Sequence, residues 1–341
     1  MGGAARVFLG AVLLALAAAG AARAGPFEDA VAAREKGDYA TALRLWRPLA
    51  EQGDPGAQFM LGSMVDDGLG VPQDFAEAFR WLRRSADQGN ARAQSRVGGM
   101  YQSGRGVAQD YAWALYWYRK AAEQGDATAQ AALGAMYNSG QGVARDDSEA
   151  IGWFRKAAEQ GEATAQLFLG NRHQQGLGVA KDHAEAARWF RKAAEQGNAI
   201  AQRSLGRAYD AGDGVPRDHA QAVRWFRKAA DQGDAAAQDD LGKAYATGEG
   251  VPRDQAQAAR WFRKAADQGD ATAQGRLGVM YVAGVGVTQN YAQAYMWLSL
   301  SAAQGIKPAA EERDKLAPRM TPAQLAEARK LVRGWKPKAE R

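Results

Sequence analysis

Alanine, leucine and aromatic positions recur along this chain at a fixed step. The pair Ala-Gln stands at 57–58, 93–94, 129–130, 165–166, 201–202, 237–238 and 273–274, always 36 residues apart. Tryptophan keeps the same step at Trp81, Trp117, Trp153, Trp189, Trp225, Trp261 and Trp297. In the copy running from Gly125 to Gln160, Ala129, Leu133 and Tyr137 lie at i, i+4 and i+8, one apolar stripe of a helix. Ala150, Trp153, Phe154, Ala157 and Ala158 form the stripe of a second helix. Its alanines allow close approach, while Trp and Phe fill the gap between successive hairpins, each burial contributing roughly 1.5–3 kcal/mol. Polar residues punctuate the pattern. Asp126 is placed to cap the first helix, as are Asp54, Asn90, Glu162 and Asn198 in other copies. The turn at Gly140 and Gly142 closes it, since glycine suits left-handed positions. Asp146 with Glu149 reads as a capping box for the second helix, as do Asp74 with Glu77 and Asp182 with Glu185. The pattern predicts an all-α solenoid of seven helix-turn-helix repeats over residues 53–304.

The flanks read as caps, which such arrays require. Residues 25–52 form a divergent hairpin, with Trp46 in place of the repeat tryptophan and Gly37-Asp38 as its turn. Residues 305–335 supply capping helices, one from about Ala309 to Leu316 and one opening with Thr321 as N-cap and Pro322 at the first helical position. The stretch 336–341 is expected to be disordered.

The unit Gly-Asp-Ala-x-Ala-Gln-x-x-Leu-Gly-x-Met-Tyr-x-x-Gly-x-Gly-Val, followed by Trp-Phe-Arg-Lys-Ala-Ala-Glu-Gln, resembles the Sel1-like repeat, a relative of the tetratricopeptide repeat. The resemblance implies a right-handed superhelix acting as an adaptor for protein complexes. A disulfide-rich bacterial branch of that family carries a cysteine pair in each repeat. This chain has no cysteine, so that branch's proposed action on cell-wall-related substrates does not carry over.

Comparison of the copies with one another separates packing positions from variable ones. In the fourth copy the variable positions of the first helix are Thr164, Leu167, Phe168, Asn171, Gln174 and Gln175. Their spacing places them on one face, opposite Ala165, Leu169 and His173. First helices commonly line the concave surface of such arrays, so this face is the expected recognition surface. It carries Phe59 and Met60, Arg92 and Arg96, Thr164, Leu167, Phe168 and Asn171, Arg203 and Arg207, then Asp239 and Lys243. Apolar anchors flanked by arginine match the composition of interface hot spots. The alternative is that Phe59 and Phe168 fill space between hairpins.

Bulk composition changes this picture little. The 341 residues are 46% hydrophobic and 24% charged, with a net charge of +6, too mild to specify a partner. The N-terminus changes it more. Arg6, the apolar stretch Val7 to Ala19 and Ala22-Arg23-Ala24 form the charged, apolar and small-residue parts of a secretory signal peptide, 1–24, cut after Ala24. The apolar run is shorter than the ~20 residues that span a bilayer. The alternative is an uncleaved anchor. A periplasmic or secreted bacterial protein with no membrane span after cleavage is expected.

Catalytic and metal chemistry find no support. His183 and His219 occupy equivalent places in successive copies, and His173 takes a slot held elsewhere by Tyr101, Tyr137 and Tyr209. No His-Glu-x-x-His pattern offers convergent metal ligands, and the Gly-x-Gly turns join two helices with no Gly-Lys-Ser/Thr beyond. No metal, cofactor or catalytic residue is expected. The second helices carry a basic ladder, Arg83-Arg84, Arg119-Lys120, Arg155-Lys156, Arg191-Lys192, Arg227-Lys228 and Arg263-Lys264. Glu159 and Glu195 nearby make this a solvated face with i,i+4 pairing. The signal peptide argues against nucleic acid. The reading is a non-catalytic scaffold for a protein or peptide partner. Its alternative is binding of peptidoglycan or an anionic polysaccharide through the ladder with Trp113 or Tyr116, and a cell-wall hydrolase using His173 comes third.

Overall fold

A computed structural model describes residues 25–338. The signal peptide reading lies outside the described residues, as do residues 339–341. Eighteen α-helices are found among the described residues. Among the described residues they divide into two compact units that part between Ala150 and Ile151. The first unit holds α1 (Pro26–Glu35), α2 (Tyr39–Glu51), α3 (Pro55–Asp67), α4 (Phe75–Asp87), α5 (Ala91–Ser103), α6 (Tyr111–Glu123) and α7 (Ala127–Ser139). The division falls inside α8 (Asp147–Glu159). The second unit continues with α9 (Ala163–Gln175), α10 (His183–Glu195), α11 (Ala199–Ala211), α12 (His219–Asp231), α13 (Ala235–Thr247), α14 (Gln255–Asp267), α15 (Ala271–Ala283) and α16 (Tyr291–Ala303). It ends with α17 (Lys307–Leu316), a 3₁₀ turn (Ala317–Arg319) and α18 (Pro322–Gly334).

Each first helix begins where its sequence says it should. The carboxylate of Asp126 accepts the Ala129 N–H at 2.8 Å, and Asn90 and Asp234 do the same for Ala93 and Ala237. The second helices depart from the expected capping box. Asp74 accepts from the Glu77 N–H and Asp182 from the Glu185 N–H, both at 2.9 Å, which is half of the box. The N-cap N–H groups do not wait for the glutamates: Asp74 donates to the Val65 carbonyl and Asp182 to that of His173. With that donor already taken by the first helix, Glu77 accepts from the Trp81 indole and Glu185 pairs with Arg188 at 3.0 Å. The complete box occurs at Thr321 and Gln324, at the start of α18.

Two glycine positions set how the helices approach. Gly98 lets the Tyr118 ring lie on the α5 backbone, where an added Cβ would sit 2.8 Å from a ring carbon; Gly206 does the same for Phe226. Gly214, at φ +72°, lies against the His183 carbonyl of the preceding hairpin, which any side chain would strike. Glutamine then ties neighbours together. Gln202 is buried; its amide donates to the Ala194 carbonyl at 3.1 Å, and its oxygen accepts from Gln232 at 2.8 Å. Gln94 has the same two partners in the first unit, Ala86 and Gln124.

The tryptophans divide into two groups. Trp46, Trp117 and Trp297 are fully buried and Trp189 is nearly so, whereas Trp81, Trp153, Trp225 and Trp261 are only half-buried. Each of the latter carries a cation over its outer face, Lys156 lying 4.0 Å from the Trp153 ring and Lys228 4.2 Å from Trp225. The space between hairpins is therefore filled chiefly by the residue after tryptophan, such as Phe190 and Phe226. At the C-terminus, residues 336–338 are not loose. Trp335 packs edge-on against Trp297 at 6.3 Å, and the Lys338 N–H donates to the Asp267 carbonyl at 2.8 Å, so two contacts hold the segment to the second unit.

Candidate interaction surface

Positions that vary between copies border a groove in each unit, although not all of them face outward. In the first unit Phe59 and Met60 of α3 and Arg92 of α5 line a groove of about 490 Å³. A second groove of about 420 Å³ shares Phe59 and Arg92 with it and adds Ser95, Arg96, Gly99, Arg105 and Tyr118. All four residues expected here in this unit are thus brought together. The Asp66 side chain, beside these grooves, is buried. It holds Arg96 at 3.0 Å and Arg105 at 3.1 Å, an arrangement spanning two repeats.

In the second unit the same face is mostly self-paired. Arg207 lies 2.8 Å from Asp240, Arg203 3.6 Å from Asp234, and Lys243 3.8 Å from Asp210. Asp239 is buried and paired with Arg276. Burial pushes its carboxyl up to about 6, against the opposing pull of the Arg276 guanidinium. Thr164 is exposed and Asn171 half-exposed. Leu167 and Phe168 have packing duties that the variability of their positions concealed. Leu167 packs on the core between α10 and α11, and the Phe168 ring stacks 3.8 Å from Phe154 with Arg172 4.6 Å above it. The expectation that this face is free of packing fails at these two residues and at Asp239, because side chains of adjacent hairpins close over them.

Further along this unit, α13, α14, α15 and α17 enclose an apolar groove of about 480 Å³. Phe262, Val279, Met280, Ile306 and Pro308 form its walls, with Lys243, Arg276 and Glu312 also lining it. Gly275 stands where other copies carry Phe59, Leu167 or Asp239, which leaves the groove open. Of the sequence candidates only Lys243 lines it. Gly275 and the exposed Val279 were the available signals, being a missing side chain and an apolar one at variable positions.

His173 takes the place of the repeat tyrosine, and His219 Nδ1 lies 2.7 Å from Asp210. Among the described residues no group of three or more His, Asp or Glu is arranged to hold a metal ion. The basic ladder is tied to aromatics as well as solvated. Arg119 donates to the Tyr137 hydroxyl and Arg191 to that of Tyr209, both at 2.6 Å, while the lysines cover tryptophans. Arg83 supplies an i,i+4 pair with Asp87 at 2.9 Å. Among the described residues no helix is long and apolar enough to cross a membrane.

Helix pairs of this length, with the glutamine tie and glycine contacts repeated every 36 residues, coincide with one family description. The Sel1 repeat model matches residues 33–54, 55–90, 91–126, 127–162, 163–198, 199–234, 235–270 and 271–306. The chain belongs to the Sel1 repeat family. Eight stretches match rather than seven, because part of the N-terminal hairpin is itself recognised as a repeat. Among solved structures, a Sel1 repeat protein from Oxalobacter formigenes is 36% identical, with a TM-score of 0.62, covering 85% of this chain and 89% of that one. A protective antigen present in uropathogenic Escherichia coli strains is also 36% identical, with a TM-score of 0.59, covering 86% of this chain and 71% of that one. No curated protein matches. The chain is thus an all-α Sel1 solenoid, a fold that in general serves as a non-catalytic scaffold for protein–protein interaction.

Proposed function

We propose that this Sel1 protein is a scaffold of the bacterial cell envelope, periplasmic or secreted, that holds a protein or extended peptide segment on the concave face made by its first helices. One observation carries the reading: positions that change from copy to copy, such as Phe59, Arg92, Gly275 and Val279, open the grooves, with repeat residues such as Phe262 and Met280 forming part of their walls. A fold selected for packing alone has no need of an apolar groove with Val279 45% exposed in it. The leader-like N-terminus supports export, and a match to a protective antigen of a pathogen is compatible with an envelope setting.

A photo-crosslinking amino acid at Val279 tests the reading in cells, with Arg224 on the surface of α12 as comparison. A discrete protein adduct at Val279 alone supports it. Adducts only at Arg224 overturn it. Binding of peptidoglycan or an anionic polysaccharide is the second reading, supported by Trp113 and Tyr116, 44% and 43% exposed, beside the cations Arg83 and Lys120. It predicts salt-sensitive retention on polysaccharide that Trp113→Ala abolishes.

A further inference from the structure

The seven copies act as internal controls for one another, and the second copy departs from them in a concentrated way. Arg92 stands where the others have Gly56, Thr128, Thr164, Ile200, Ala236 and Thr272. Arg105 replaces Leu69, Gln141, Leu177, Asp213, Glu249 and Val285. Gly99 is the one glycine at its position, and Tyr118 the one hydroxyl where other copies carry Phe or Leu. These four departures come from a helix start, a turn, a helix middle and the second helix. They meet in one groove of about 420 Å³ in the first unit.

The groove has the chemistry of an acid receptor. Arg96 and Arg105 are fixed from beneath by the buried Asp66 carboxylate, which takes one nitrogen of each guanidinium and leaves further N–H donors on both. Arg105 is also held over the Phe75 ring, 5.0 Å away. Gly99 clears the floor: a Cβ there would lie 3.3 Å from the Tyr118 hydroxyl. That hydroxyl donates to Gln102 at 2.9 Å, and burial raises its pKa to about 12, so it remains a neutral phenol. The one carboxylate among the lining residues, Asp126, is engaged in capping α7. Beyond the shared Phe59 and Arg92 lies the apolar pair Phe27 and Met60.

We propose that this groove receives an acidic peptide segment of the scaffold's partner, its arginines holding a Glu or Asp carboxylate while Phe27, Phe59 and Met60 take an adjacent apolar side chain. The proposal deepens the scaffold reading and rests on it. Fixed guanidiniums suit a planar carboxylate because they lose little freedom on binding.

The test is fluorescence polarisation with the full mature chain and a fluorescein-labelled peptide, Gly-Ser-Phe-Glu-Glu-Gly-Ser, against the same peptide with Gln for Glu. Saturable binding that is at least ~10-fold weaker for the Gln peptide is expected, as is a similar loss in Arg92→Gln, a change at an exposed residue. Gly99→Leu, which fills the floor, abolishes binding while leaving the helical circular dichroism unchanged. Equal binding of both peptides, or an unaffected Arg92→Gln variant, overturns the proposal. So does full displacement by submillimolar inorganic phosphate, which would make the site a phosphate receptor, or preferred Arg92-dependent binding to phosphatidylglycerol vesicles. A protein adduct at Val279 combined with no acidic-peptide binding sinks this inference and leaves the scaffold reading standing.

Discussion

Replacing Gln202 by alanine is expected to destabilise the second unit by about 2–3 kcal/mol, although the residue is far from any groove residue in chemical character. Gln202 is 4% exposed and makes two side-chain hydrogen bonds, one to the Ala194 carbonyl and one from Gln232. Each is worth about 1 kcal/mol net, and truncating a buried side chain adds a cavity and transfer cost of about 1 kcal/mol at the low end. The neighbours soften the loss. The Ala194 carbonyl also accepts the Gly197 N–H, and the exposed Gln232 amide retains the Lys228 carbonyl and water. Gln202→Leu keeps the volume and loses the bonds, so about 1–1.5 kcal/mol is expected. Gln202→Glu sets a carboxylate against a carbonyl in a buried place, which favours its protonated form in the folded chain. Its penalty is fully present at pH 8 and fades as the pH falls toward 5, where the acid can donate as the amide did. Urea unfolding followed by circular dichroism, paired with amide exchange of α11 because arrays can unfold in parts, measures all three. A loss for Gln202→Ala no larger than that of the exposed Gln232→Ala would refute the reasoning and reduce the glutamine to a space filler.

Other expectations can be checked with the same samples. Because the folded pKa of Asp239 lies above the ordinary carboxylate value, the folded chain binds the extra proton between about pH 4 and 6; the unfavourable contribution is present above that window and relieved below it. Asp239→Asn should therefore gain stability relative to wild type at pH 7.5 compared with pH 4.5, and a urea midpoint difference of the opposite sign would contradict this. Gly206→Ala improves helix propensity by about 1 kcal/mol but drives a methyl 2.6 Å from the Phe226 ring, so a net loss of about 1 kcal/mol is expected; a raised melting temperature would show that the ring can move aside. Val279→Asp alters an exposed groove position, and should remove partner capture while shifting the unfolding midpoint by no more than about 0.5 kcal/mol. Trp335→Ala should free the segment 336–338, seen as faster tryptic cleavage after Lys338 with the remaining helices intact.

Much of the helical framework could be read directly because its signals are local. Asp126, Gly140 and Thr321 act on backbone groups within a few residues, so the sequence shows both partners at once. The groove residues Phe59, Met60, Arg92 and Arg96 were also within reach, since helical spacing alone assigns them to one face. What escaped were contacts between neighbouring repeats. Asp66 meets Arg96 and Arg105, 30 and 39 residues away, and the Phe154–Phe168 stack joins a second helix to a first. Variability marks a position as unneeded by the repeat, yet a variable side chain can still be covered by its neighbour. That is why Asp239 was read as open when it is not, and why Phe168 follows the alternative of filling space between hairpins. The glutamine of Ala-Gln was visible as a period marker, but its two hydrogen-bond partners were not.

The tie from Gln232 back to Gln202, like that from Gln124 back to Gln94, always reaches 30 residues. Such a tie is indifferent to how many units stand on either side, but it is broken by an insertion within either helix that turns its glutamine off the shared face. Growth or shrinkage by a complete 36-residue unit leaves each donor facing an acceptor of the same kind, whereas a change of one or two residues inside a helix leaves a buried amide facing nothing. Within the repeats, length is therefore inherited in whole bricks, and a lineage can lengthen its binding face by duplication without renegotiating the core.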